Sequence, residues 1–501
     1  MGFLSILKSN SASAEEHAEL ECIGYVIGES KPYKAEVVAS RPLMVGEYLY
    51  MEYYGFDVLA MVSSSVTGSP VITGDIYDPR DIERIVKNIR GGERMYYYKG
   101  VVNILGYLGD GHSRLRIPPV PPPPGTEVVK APKTILSRIF SPAKDNYVRV
   151  GVLLRESSVE VKVDINKVVS RHLGILAMTG MGKSNLVALL AKRVAEKHGT
   201  VIIFDYHGEY VSMTTPGVNV IKPKLNPRMM SFDEIARLLN IPRNATRQRA
   251  ALFESLEQMP ENGDFFYNLK KYLQTKISKY GASAQKILDM ITAYERYLRK
   301  ILSEDVEDVV EQMVLGGINI VDLSELHIHQ ADAVIAHWLN RILNARKEAA
   351  LGNRRGLQVP VILVVEEAHV FIPNDQETAT KREATAIVRE GRKFGVGLVI
   401  VSQRPRGLDA TILSQLGNLA ILRIVHPEDQ NHIARHCEPV FHDVIEELPG
   451  LNIGEAILLG EWVRIPTLAK IDYVEEKIAG FDIDAVSVWS RYFNGYNRKS
   501  L

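Results

Sequence analysis

The apolar positions along this chain change their period several times, and each change predicts a different architecture. From about Glu21 to Gly109, short β-branched and aromatic runs are separated by Gly, Pro and Ser: ECIGYVIGE, KAEVVAS, GEYLYMEYY, DVLAMVSSSV and GVVNILGYLG. Each has strand length and strand composition. Inside the series, DPRDIERIVKNIRG has helical spacing behind an aspartate. Short strands in this arrangement predict a small β-barrel over residues 1–117. The run Pro118 to Gly125, PPVPPPPG, forces extended polyproline geometry and predicts a semi-rigid linker at 118–125. A ligand for an SH3-type domain is the functional alternative.

Past the prolines the pattern becomes that of an α/β core, residues 126–471. VRVGVLL and VEVKVDI lead in, and then come near-continuous apolar runs: Val201–Phe204, Ile318–Val321, Val361–Val365, Val396–Val401, Leu419–Val425 and Glu455–Leu459. Parallel strands buried on both faces read this way. Helical patterns such as LVALLAKRVAEKHG and ADAVIAHWLNRILNARKEA separate them. Between Asn226 and Leu315 the strand signals vanish, and four segments carry apolar residues at three- and four-residue spacing. This predicts a helical subdomain, 226–315, inserted in the core, with its Tyr, Phe and Met residues forming its interior. Residues 472–501 are mixed and read as a terminal helix and tail.

Composition narrows the partners. At 501 residues the chain is too long for one ordinary core, so two to four units are expected. Sixty basic residues balance sixty acidic ones, so any nucleic-acid contact must come from a local patch or pore. Cys22 and Cys437 stand far apart with no C-x-x-C pattern, which gives neither a disulfide framework nor a zinc site and predicts buried thiols in a reducing compartment. The start MGFLSILKSN is too brief for a signal sequence, and no apolar run approaches the roughly 20 residues of a membrane span. A soluble, cytoplasmic chain without a membrane partner is expected.

The chemistry centres on Gly174 to Asn185, GILAMTGMGKSN, which reads as strand, phosphate loop and helix. Gly180 and Gly182 let backbone N–H groups turn inward and form, with the helix N-terminus, a cradle for phosphate oxygens. Thr179, Gly180, Met181, Gly182, Lys183, Ser184 and Asn185 are the candidate nucleotide-binding residues. Lys183 would reach the β and γ phosphates and Ser184 would ligate Mg2+. Ala177 stands where the usual motif has its first glycine, a position that tolerates a methyl if φ stays negative.

Further acids lie at strand ends, where α/β sheets place their chemistry. Asp205 and Glu209, in DYHGEY, face a metal or a water, or else cap a turn. Glu366 and Glu367 follow the run Val361–Val365; Glu366 would hold Mg2+ through water and Glu367 would be the general base. Gln403 ends the next strand and is suited to sense the γ-phosphate. Arg389, Arg392, Arg404 and Arg406 are nearby in sequence and are read as surface charges or as an arginine finger for a neighbouring subunit, with Arg392 the first choice.

Taken together, the loop, FDYHGEY, VVEEAH and VSQRP in this order resemble the HerA group of the HerA/FtsK ATPases, and the β-rich start is similar to the barrel that precedes the ATPase in that group. The resemblance covers nearly the whole chain, with two departures: Ala177, and Glu366 where many relatives have Asp. It implies a RecA-like P-loop ATPase using ATP and Mg2+, assembled as a homo-hexamer around double-stranded DNA. It also implies a NurA-type nuclease partner in DNA end resection and recombinational repair, and nucleoid association during that work.

Alternatives remain at this level. A ring ATPase that moves protein would answer to a protein partner, and a nucleotide-dependent scaffold would hold a nuclease with slow hydrolysis as a switch. A GTPase is disfavoured because no N-K-x-D motif follows the sheet; Asn166-Lys167-Val168-Val169 precedes the loop and lacks the Asp. For DNA contacts, Lys381, Arg382 and Arg389 are candidates.

Overall fold

A computed structural model describes residues 21–88, 95–107, 115–435, 448–476, 485–487 and 489. The start MGFLSILKSN, Cys437 and most of the expected C-terminal helix and tail lie outside the described residues. The chain divides into two compact units, 1–186 with 367–472, and 187–366 with 473–501. No helix among the described residues is long and apolar enough to cross a membrane.

The first unit begins with six antiparallel strands: β1 (Cys22–Lys31), β2 (Lys34–Ala39), β3 (Tyr48–Tyr53), β4 (Phe56–Gly68), β5 (Tyr97–Tyr107) and β6 (Glu127–Lys130). They close as a barrel in the order β1-β2-β5-β4-β3-β6. Inward-facing Ile23, Val37, Leu49, Val58, Val102 and Val128 fill it. Gly24 is required by the crowding of the wall, since a Cβ there would stand 2.0 Å from the Val38 carbonyl oxygen.

The barrel runs further along the chain than expected. Its sixth strand lies beyond the proline run and pairs with both β1 and β3, so closure needs residues past 117. The prolines pack onto the barrel instead of spanning a gap: Ser30 donates to the Pro122 carbonyl at 2.5 Å, and the Gly125 N–H donates to Val26 O at 2.8 Å. Polyproline geometry presents unpaired carbonyls, and these accept donors from neighbouring strands.

The first unit continues with β7 (Tyr147–Leu153), β8 (Glu160–Asp164) and β9 (Leu173–Leu176). The second unit holds β10 (Thr200–Asp205), β11 (Val218–Ile221), β12 (Ile318–Asp322) and β13 (Val361–Val365), after which β14 (Val396–Ser402), β15 (Asn418–Leu422), β16 (Glu455–Gly460) and β17 (Thr467–Ile471) return to the first.

Within the first unit, β9 is flanked by β14 and β15, both parallel to it. The two edges of the phosphate-loop strand are therefore taken by late strands. Antiparallel pairs carry the layer on through β16, β17, β7 and β8. Contacts that join barrel and layer include Arg155 Nε donating to Val45 O at 2.9 Å and the pair Lys130–Glu156 at 2.9 Å.

In the second unit β10 pairs in parallel with β12 and with β13, and β11 adds to β12. All six residues of β10 are buried, as its apolar run predicts. The 23-residue helix Ile328–Ala350 buries Trp338, which meets Phe204 edge-on at 6.2 Å. Helices Phe232–Leu238, Thr246–Gln258, Phe265–Tyr280 and Ala282–Leu298 occupy the expected insertion between β11 and β12. They start at sites the sequence marks: Ser231 and Glu234 form a reciprocal capping box, and Asp264 accepts the Tyr267 N–H at 2.7 Å.

Candidate active site

In the first unit β9 runs straight into the loop. Ala177 is buried and its N–H donates to the Ser402 carbonyl at 3.2 Å, so it extends the strand, and the Met178 N–H donates to Arg423 O at 3.1 Å. The left-handed turns come later, at Gly180 (φ 77°) and Gly182 (φ 102°). Glycine freedom is needed there and not at Ala177. The helix Lys183–Ala195 follows at once, its first turn carrying Lys183 and Ser184, and the Leu186 N–H bonds back to Gly182 O at 3.1 Å. The Gly454 N–H donates to Met181 O at 3.2 Å and pins the loop from beneath. The Asn185 amide instead reaches the Asp472 carbonyl at 2.9 Å and ties the helix to the end of this unit.

A series of side chains leads away from the loop. The Thr179 hydroxyl donates to Gln403 Oε1, and the Gln403 amide donates to Glu367 Oε2 at 3.3 Å. His369 Nδ1 lies 3.3 Å from the same carboxylate oxygen. Glu367 has a left-handed backbone (φ 47°, ψ 41°) at the start of the short helix Ala368–Phe371 and is 9% exposed. The phosphate loop, a polar amide and a buried carboxylate are thus joined side chain to side chain. VVEEAH displays His369, but its contact depends on a kink at Glu367 that periodicity does not reveal.

The second unit has its own acidic cluster. Asp205 is 1% exposed, and its two oxygens accept the Glu209 N–H at 3.0 Å and the Tyr210 N–H at 2.8 Å. Burial raises its pKa, opposed by those N–H groups. The carboxylate folds the DYHGEY turn. Tyr210 is fully buried and donates its hydroxyl to Glu366 Oε1; burial, then the charge of Glu366, push its phenol well above the ordinary value. Sequence reasoning did not single out Tyr210.

The arginines separate. Arg389 and Arg392 are exposed on the last two turns of the helix Ala379–Phe394. Arg404 is exposed as well, and Arg406 pairs with Glu428. Lys381, expected among the DNA contacts, is buried and bonded to Asp409 at 3.0 Å, and Arg382 pairs with Glu383 at 2.7 Å. Lys381 is spent on joining helices, so of the three named DNA candidates Arg389 keeps an exposed side chain.

No group of three His, Cys, Asp or Glu among the described residues is arranged to hold a metal ion. Magnesium keeps several waters and takes one or two protein oxygens beside substrate phosphates. Ser184, in the first turn of the loop helix, is the fitting donor.

A phosphate loop on a strand flanked by late parallel strands, with a polar-ended neighbour strand supplying Gln403, defines a P-loop ATPase of the RecA-like kind. The family described as "Helicase HerA, central domain" matches residues 148–342, and that described as "HAS barrel domain" matches residues 23–109. The DNA double-strand break repair helicase HerA of Sulfolobus acidocaldarius is 39% identical over 487 residues, covering 94% of this chain and 97% of that protein. Its namesake in Saccharolobus solfataricus is 37% identical over 94% of this chain and 96% of that protein. Among solved structures, VirB4 of Thermoanaerobacter pseudethanolicus aligns with 67% of this chain and 99% of that chain, at 17% identity and a TM-score of 0.49. The chain belongs to the HerA helicase family.

Proposed function

We propose that this protein is an ATP-driven motor that moves double-stranded DNA through a homo-hexameric ring, working with a NurA-type nuclease in DNA end resection and recombinational repair. The observation that carries the reading is the hydrogen-bonded path from Thr179 through Gln403 to Glu367, beside a loop with both required glycines in the left-handed conformation. The names of the similar proteins support DNA as the substrate.

In this mechanism the N–H groups of Thr179 to Asn185 hold the phosphates, Lys183 neutralises the β and γ oxygens, and Ser184 takes Mg2+. Held there, Mg2+ would draw charge from the γ-phosphate. Glu367 accepts a proton from the attacking water, while Gln403 reports the γ-phosphate to it. Glu366 serves the ion through water, and Asp205 is assigned to folding its turn. Arg392, exposed at a helix end, is the finger offered to a neighbouring subunit. Cytoplasmic work at the nucleoid follows from the substrate.

The test is ATP hydrolysis with and without linear duplex DNA at low salt, for the wild type, Lys183→Ala and Glu367→Gln. Stimulation that both variants abolish and that falls steeply with salt supports a DNA motor. Hydrolysis sensitive to both variants but indifferent to DNA would overturn the substrate and leave a protein-moving ring or a nuclease scaffold.

A further inference from the structure

Two residues beyond Glu367 the chain sets a histidine against it. His369 Nδ1 is 3.3 Å from Glu367 Oε2 and 3.4 Å from the Ser402 hydroxyl, and its ring is 12% exposed. The partners decide the tautomer. A carboxylate, when ionised, only accepts, so the tautomer that suits it carries its proton on Nδ1; a bare Nδ1 would set a lone pair against a negative oxygen. Ser402 is itself fixed, fully buried at the end of β14, with its hydroxyl accepting the Arg404 N–H at 3.0 Å. The imidazole is therefore held between a rigid strand and the acid.

The other side of Glu367 is gripped too, by the Gln403 amide on the same oxygen at 3.3 Å. The left-handed backbone at Glu367, which costs a non-glycine residue of order 1–3 kcal/mol, turns the side chain toward both donors. A carboxylate on such a bend would otherwise sample several rotamers. The Gln403 donor and the imidazole nitrogen lying 3.3 Å away, both on Oε2, select one of them.

We infer that His369 is a positioning residue for ATP hydrolysis, aiming the Glu367 carboxylate through its Nδ1–H. The inference rests on the reading of Glu367 as the base. In that reaction the water oxygen bonds to the γ-phosphorus, the bond from phosphorus to the ADP oxygen breaks, and the water's proton passes to Glu367. His369 touches none of these atoms. It fixes the direction from which the proton is taken, and a misplacement of about 1 Å in such a group costs about a hundredfold.

The experiment uses the full chain and compares steady-state kinetics and thermal melts for His369→Leu, His369→Asn and Glu367→Gln, and for Glu367→Gln combined with His369→Leu. Asn places an amide donor near the position of Nδ1. The expected result is a kcat about tenfold to a hundredfold lower for His369→Leu with KM for ATP and melting temperature held. His369→Asn recovers most of the rate, and in the Glu367→Gln background the leucine costs nothing further. Should the leucine variant fail to fold, His369→Gln, which carries its amide one bond further out, is expected to be slow where Asn is fast. Wild-type kcat in His369→Leu, equal slowness in the Asn and Leu or Gln variants, or additivity with Glu367→Gln would overturn the inference. Full activity in Glu367→Gln would instead overturn the base assignment, a separate outcome.

Discussion

Glu366 and Glu367 are joined by one peptide bond yet meet opposite kinds of partner. Glu367 accepts from Gln403, which leads to the phosphate loop, and lies 3.3 Å from the His369 ring nitrogen. Glu366 receives the hydroxyl of a fully buried tyrosine whose own N–H is bound by Asp205. One acid sits in a network that an incoming phosphate can rearrange; the other is anchored to a turn built of backbone bonds. Both are at most 9% exposed, so burial alone does not tell them apart. The contrast fits the proposed mechanism, in which Glu367 takes the proton and Glu366 has a fixed, outer role.

The sharpest way to break this assignment is to neutralise each side of the first network. Glu367→Gln and Lys183→Ala should lower kcat by about a hundredfold to ten-thousandfold, the usual worth of a general base or a phosphate-binding cation. Nucleotide binding, read by fluorescence of a labelled ATP analogue, should survive in Glu367→Gln and weaken in Lys183→Ala. If Glu366→Gln is the slower of the two glutamate variants, the comparison is inverted.

A second contrast lies within the second unit, where Glu234 depends on a side chain and Asp205 on the backbone. Burial alone would raise the pKa of Glu234. The bond to His337 at 2.8 Å, its charge and the Ser231 donors outweigh burial and hold the pKa at about 2. The sign follows from the lowered value. Folding favours the ionised form, so the contribution is complete above the unfolded value of about 4.3 and is lost as pH falls toward about 2. It amounts to roughly 3 kcal/mol at neutral pH. Urea midpoints of the wild type and Glu234→Gln should differ most above the unfolded value and converge as pH falls from about 4.3 toward about 2; a constant gap would show that the ion pair is not the source.

These contrasts mark what the sequence could carry. The loop was legible because its chemistry demands glycine at the positive-φ positions 180 and 182, and the buried strands because parallel pairing demands unbroken apolar runs. The helices between Asn226 and Leu315 were legible from their period. The sixth barrel strand was not, since the four residues of β6 carry little periodic signal and follow a run of prolines. Nor were the side-chain partners of the two glutamates, because Tyr210 and Gln403 reach Glu366 and Glu367 from elsewhere in the chain. For Lys381 the charge was visible in the sequence and its partner Asp409 was not.

Asp205 then tests whether the second cluster is structural throughout. Asp205→Asn keeps one acceptor and turns an N–H donor toward a backbone N–H, which should cost about 1–3 kcal/mol. The Mg2+ concentration giving half-maximal hydrolysis should stay unchanged in the folded protein. A rise in that requirement without a loss of stability would make Asp205 a metal ligand.

The smallest expected effect comes from Tyr210→Phe. The substitution preserves the packing of a fully buried ring and deletes only the hydroxyl given to Glu366. A single hydrogen bond contributes about 0.5–1.5 kcal/mol net, and its loss should appear as a modest drop in the urea midpoint. Kinetics carry the sharper information. With its donor gone, Glu366 can turn within its site, so the Mg2+ requirement should rise while kcat at saturating Mg2+ stays close to wild type. A fall in kcat that excess Mg2+ does not restore would place Glu366 with Glu367 in the chemical step, and the two acids would no longer be distinguished by the company they keep.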